Sequence, residues 1–87
     1  MRLELDAGFE ASFKKRPKDI IARIAKAVAL FQENPLHPSL HFKPSAKRNG
    51  VYSIRVTQGY RILLLKKTDD HFILLRCCNH DDYERLF

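Results

Sequence analysis

The sequence predicts an α+β domain, with an N-terminal strand and helical hairpin packed on one face of a small, twisted, largely antiparallel sheet. Three observations predict it. Ile20, Ile21, Ile24, Val28 and Phe31 recur at helical spacing in the first half. The second half changes to β-forming runs over 51–56, 60–66 and 71–78. The 87 residues contain no linker, repeat or low-complexity tract, so residues 1–87 form a single domain.

Taken in order, residues 2–6 alternate polar and apolar, with Leu3 and Leu5 on one side, and read as a short strand. Asp6 is placed to cap a short helix running to about Arg16, in which Phe9 and Phe13 share a face. Pro17 interrupts that helix and suits the first turn of the next, which Asn34-Pro35 ends. Lys18, Arg23 and Lys26 fall largely off the apolar stripe of this second helix. Residues 35–39 form a stiff connection, 40–44 a short strand, and Lys47-Arg48-Asn49-Gly50 a basic turn.

Thr57-Gln58-Gly59 has the length of a three-residue hairpin loop with glycine in the left-handed position. That loop pairs Val56 with Tyr60 and therefore Arg55 with Arg61. It sets Tyr52, Ile54, Val56, Tyr60, Ile62 and Leu64 on one face, and Ser53, Arg55 and Arg61 on a basic opposite face. Asp69-Asp70 turns the chain into a last strand, 71–78. Cys77 and Cys78 are neighbours in that strand, point to opposite faces and read as buried free thiols.

Charge is the functional signal. The formal net charge is +6, and between Glu33 and Asp69 there is no acidic residue while Lys43, Lys47, Arg48, Arg55, Arg61, Lys66 and Lys67 all occur. A structural role would put a carboxylate opposite Arg55 or Arg61; two arginines face to face suit an anion. Apolar runs such as 62–65 are far too short for a membrane span, and acids interrupt the N-terminal residues that a signal peptide would keep apolar. These features and the free thiols predict a cytoplasmic protein.

The remaining chemistry sits after the last strand, in Asn79-His80-Asp81-Asp82-Tyr83. Metal-free RNA cleavage needs a base for the 2′-hydroxyl, cations for the charge that builds on phosphorus, and an acid for the departing 5′-oxygen. Arg55 and Arg61 supply permanently charged forks, His80 titrates near neutrality, and Tyr83 can hydrogen-bond or stack on a base. Lys43, Lys47, Arg48 and Lys66 are the candidate RNA contacts. No metal or cofactor motif is present: Pro38 denies His37 and His41 a regular helix, and the spacing of His80, Asp81 and Asp82 is not diagnostic.

Strand, helical hairpin, then Val51-Tyr52-Ser53-Ile54-Arg55-Val56, Gly59-Tyr60-Arg61-Ile62 and a late His80-Asp81-Asp82-Tyr83 resemble the RelE/ParE superfamily of bacterial type II toxins, over essentially the whole chain. The resemblance implies a microbial-ribonuclease-like fold. It also implies a ribosome-dependent mRNA endonuclease (an mRNA interferase that inhibits translation), working without metal through 2′-hydroxyl attack. Its implied partners are a cognate antitoxin, the ribosome and mRNA. The free toxin is expected to be monomeric, with sheet edges open to weak dimerisation.

By the same resemblance Arg61 stabilises the transition state, Arg55 is the basic residue of the preceding strand, His80 the terminal histidine and Tyr83 the terminal aromatic. RelE has Tyr-Lys-Ile-Lys where this chain has Tyr52-Ser53-Ile54-Arg55. Arginine is a poor proton acceptor, so acid–base work falls to His80 with Lys43, Lys47 or His41. Two other readings share the fold: a ParE-like protein that binds DNA gyrase without cutting RNA, and a catalytically inactive antitoxin-binding module.

Overall fold

The structure is a computed structural model that describes residues 1–46 and 48–79. Strand β1 (Arg2–Leu5) leads into α1 (Ala7–Lys14), and Asp6 begins that helix as the sequence predicts, its carboxylate accepting from the Gly8 N–H at 2.9 Å. Gly8 allows α1 to lie close on the sheet, since a Cβ there would meet the carbonyl oxygen of Leu75 at 3.2 Å. Helix α2 (Lys18–Glu33) buries Ile24, Ala27 and Phe31. Phe9 and Phe13 stack one turn apart with ring centroids at 5.9 Å.

The second half is β2 (Lys43–Pro44), β3 (Val51–Thr57), β4 (Tyr60–Thr68) and β5 (His71–Asn79). The order across the sheet is β1-β5-β4-β3-β2. Every pairing is antiparallel except β1 with β5, which is parallel. The helices pack on one face, where Ile54, Ile62, Leu64, Phe72, Leu74 and Cys77 join Phe9, Ile24 and Phe31 in one core. Phe31 is its centre, meeting Phe72 edge-on at 5.1 Å and Phe42 at 5.5 Å.

Three local details differ from the sequence reading. Residues 40–44 are not one strand: a 3₁₀ turn spans Pro38–Leu40, His41 follows in the left-handed region (φ 48°), and only Lys43–Pro44 pair with β3. Proline at the start of that turn and the buried Leu40 favour the compact turn over an extended strand.

The β3–β4 loop is Gln58-Gly59 alone, with Thr57 facing Tyr60, and Gly59 is not left-handed; Gly50, in the preceding basic turn, is (φ 80°). Thr57 Oγ1 accepts from the Gly59 N–H at 3.1 Å and closes the turn. Arg55 nevertheless faces Arg61, because Val56 forms a bulge that compensates for the shorter loop.

The face turned away from the helices is not the open basic surface that the alternation predicts. Val51, Ser53, Leu63 and Cys78 lie there with 4% or less of their surface exposed. Cys77 and Cys78 are both buried, one on each face.

Candidate nucleic-acid interface

The strand register assembles a group on the face away from the helices. Arg55 is the cross-strand partner of Arg61, and Arg61 of Cys78; one row along, Lys43 is the partner of Ser53, and Ser53 of Leu63. Directly opposed side chains stand about 4.5–5.5 Å apart at Cβ, so Lys43, Ser53, Arg55 and Arg61 occupy one patch. Two candidates thus meet as predicted, and Lys43 joins them from the edge strand, beside the serine that replaces a lysine of RelE.

Polar atoms in this patch are unsatisfied. Among the described residues, Ser53 Oγ and Arg61 Nη1 are buried without a hydrogen-bond partner. A buried guanidinium N–H held without an acceptor is costly unless an anion completes it. No carboxylate of the described residues pairs with Arg55 or Arg61. The arrangement can therefore hold a phosphate between fixed cations.

Arg55 does not simply lie beside Arg61. Its Nη1 is 3.3 Å from His41 Nε2. Arginine only donates, so in this contact Nε2 accepts and the imidazole proton is on Nδ1. Val56 bulges where β2 no longer flanks β3, and Arg55 there also lines a cavity shared with α2. His41 is one of the three residues that the sequence offers beside His80, and its left-handed backbone (φ 48°) is not legible from its spacing.

The other candidates divide. Lys66 stands on the helix side, as the partner of Phe72, with Nζ 2.8 Å from Asp69 and 5.7 Å from the centre of the Tyr52 ring. Its hydrogen bond to Asp69 raises the ammonium pKa and lowers that of the carboxyl. Lys66 is thus separated from the patch around Arg61. Arg48 lies exposed in the turn before β3. Lys47, His80 and Tyr83 lie outside the described residues.

Contacts across the helix face hold the strand ends that carry the patch. Ser12 Oγ accepts from the Cys77 N–H at 3.0 Å, and Arg16 Nη2 donates to the Cys77 carbonyl at 2.9 Å. The Arg16 guanidinium also lies 5.3 Å from the centre of the Tyr60 ring. Ser12 of α1 and Arg16, just beyond the helix end, thus hold the end of β5 and the start of β4 beside Arg61. The sequence does not single these residues out, since a serine on a short helix and an arginine just after it carry no mark of a partner 65 and 61 residues away.

Among the described residues no group of His, Cys, Asp and Glu is placed to hold a metal ion, and no helix is long and apolar enough to cross a membrane.

Two helices packed on a five-stranded, mostly antiparallel sheet make the fold of RelE-like toxins. Residues 18–85 match the family described as the ParE-like toxin domain, and the chain belongs to that family, within the RelE/ParE superfamily. No curated protein sequence matches it. Among solved structures, the RelB–RelE antitoxin–toxin complex from Methanococcus jannaschii is similar at 22% identity and TM-score 0.76, over 97% of this chain and 98% of that one. The DinJ–YafQ complex from E. coli is similar at 21% identity and TM-score 0.77, over 94% and 97%. The YoeB/ParE toxin from Agrobacterium tumefaciens is similar at 14% identity and TM-score 0.73, over 92% and 99%. At these identities the likeness establishes the fold.

Proposed function

We propose that this toxin is a ribosome-dependent mRNA endonuclease of a type II toxin–antitoxin system. The observation that carries the reading is the Arg61 guanidinium, partly buried opposite Arg55 with Nη1 lacking an acceptor among the described residues. In the reaction a base removes the proton of the 2′-hydroxyl, and the 2′-oxygen bonds to phosphorus. The bond from phosphorus to the 5′-oxygen breaks, and an acid protonates that oxygen. The products are a 2′,3′-cyclic phosphate and a free 5′-hydroxyl. Arg61 and Arg55 balance the charge that grows on the phosphate oxygens. Lys43, across from Ser53, and His80 are the acid–base groups, and Tyr83 stacks on a base.

The partner is a cognate antitoxin that covers this surface, as a likeness to toxins held in RelB–RelE and DinJ–YafQ complexes supports. The site of action is the cytoplasm. The ParE-like family description supports a second reading, a gyrase-binding toxin without nuclease activity.

Primer extension on cellular messengers after brief induction tests between them. Wild-type protein is expected to create new 5′ ends inside translated codons. Arg61→Ala and His80→Ala are expected to lose about 10²–10³-fold in cleavage while remaining folded. Growth arrest without new ends, accompanied by a DNA-damage response, would replace this reading with the gyrase one.

A further inference from the structure

Arg55 is shared between the patch and a cavity of ≈ 460 Å³ that opens between α2 and β3. Its rim carries Arg23 and Lys26 from α2 and Arg55 from β3, and its apolar floor includes Leu40 and Val56. Arg23 and Lys26 are one turn apart and exposed, so their charges are free to reach across the opening. No acidic side chain lines the cavity, and none pairs with these three cations among the described residues. A structural cavity between a helix and a strand would be filled by apolar side chains; this one is open and rimmed by one sign of charge.

We infer that the α2–β3 cavity is a second phosphate subsite, which receives the RNA backbone next to the phosphate held by Arg61. The inference rests on reading the sheet patch as an RNA surface and assigns that surface a direction. Arg55 links the two sites. It faces Arg61 in the strand register, its guanidinium reaches His41, and it forms one wall of the cavity. A strand with one phosphate at Arg61 therefore leaves over the edge of β3, beyond the end of β2, toward Arg23 and Lys26. The cavity has no aromatic side chain for base stacking and no acid to read base donors, so the subsite recognises backbone and not sequence.

The experiment uses a short fluorescent oligouridylate carrying 2′-O-methyl groups, which removes the nucleophile and separates binding from cleavage. Affinity is measured against salt concentration for wild type, Arg23→Ala/Lys26→Ala, Arg61→Ala, and a Lys14→Ala/Lys15→Ala control that loses the same charge elsewhere. Alanine is the best helix former, so the α2 substitutions keep the helix.

Loss of two phosphate contacts is expected to flatten the slope of log affinity against log salt by about 1.4, at about 0.7 per single-strand contact. The control is expected to keep the wild-type slope. Equal slopes in the α2 variant and wild type, with binding lost in Arg61→Ala, overturn the subsite and leave the RNA surface standing. An equal loss in the control also overturns it, as non-specific charge. Weakened binding of poly-glutamate with unchanged RNA binding overturns it in favour of an acidic protein. Salt-independent binding or none in wild type overturns both the subsite and the RNA reading.

Discussion

On the helix side of β4, Ile62 and Leu64 meet Phe31, Ile24 and Phe72, and the polar groups at the strand ends are bonded to Ser12 and Arg16. On the other side Leu63 is just as deeply buried, yet it shares its face with Ser53 Oγ and Arg61 Nη1, which have no acceptor or donor among the described residues. Both faces bury apolar side chains. One spends its polar groups on holding the fold, and the other keeps them in reserve. Buried polar atoms are normally satisfied, so the Ser53 hydroxyl and Arg61 Nη1, left open beside a second arginine, suit completion by an external group.

Breaking the helix side should have the largest effect. Phe31→Ala removes the ring at the centre of the aromatic cluster and is expected to destabilise by about 3–5 kcal/mol, read from denaturant unfolding with an unchanged m-value. A smaller effect sharpens the contrast between two serines. Ser12→Ala leaves the Cys77 N–H without its acceptor and is expected to lose about 1–3 kcal/mol. Ser53→Ala deletes a hydroxyl that has no bond to lose, and is expected to leave stability unchanged within about 0.5 kcal/mol or raise it slightly. Equal losses in the two variants would erase the proposed difference between the faces.

The smallest effect concerns the β1 edge, where Glu4 Oε2 accepts from His71 Nε2 at 3.0 Å. That hydrogen bond, foremost among its causes, holds the Glu4 carboxyl below its usual pKa of 4.5. A lowered folded-state pKa means that the contribution is present above the unfolded value and fades as pH falls through the folded one. Glu4→Gln is therefore expected to flatten the acid limb of stability slightly below about pH 4.5 and leave the patch unaffected.

The elements were legible because their signals are local. The apolar stripe of α2, the Asp6 cap, and the runs of β3, β4 and β5 each need only a few neighbouring residues, and the facing of Arg55 and Arg61 followed from them. The route to that facing was not legible. A bulge at Val56 and a two-residue loop give the same pairing as a three-residue loop, and alternation cannot separate the two. Nor did alternation show that Val51, Leu63 and Cys78 are buried away from the helices, since it tells which side a residue faces and not what covers it. Arg23 and Lys26 read as solvated positions because the wall opposite them, Arg55 and Val56, lies thirty residues further along the chain.

The strand order has a bearing on when the patch around Arg61 is assembled. Among the described residues β1 has β5 as its sole neighbour, and β5 also flanks the strand that carries Arg61. Residues 2–5 must wait for residues 71–74 before they have anything to pair with. While the chain is being made, the helices and the β3–β4 hairpin can assemble, but β4 stands as an open edge and Ser12 and Arg16 have no β5 backbone to bind. Contacts this distant in sequence form late, and the sheet closes in one final step. The face that carries Arg61 is therefore complete only once β5 has been added.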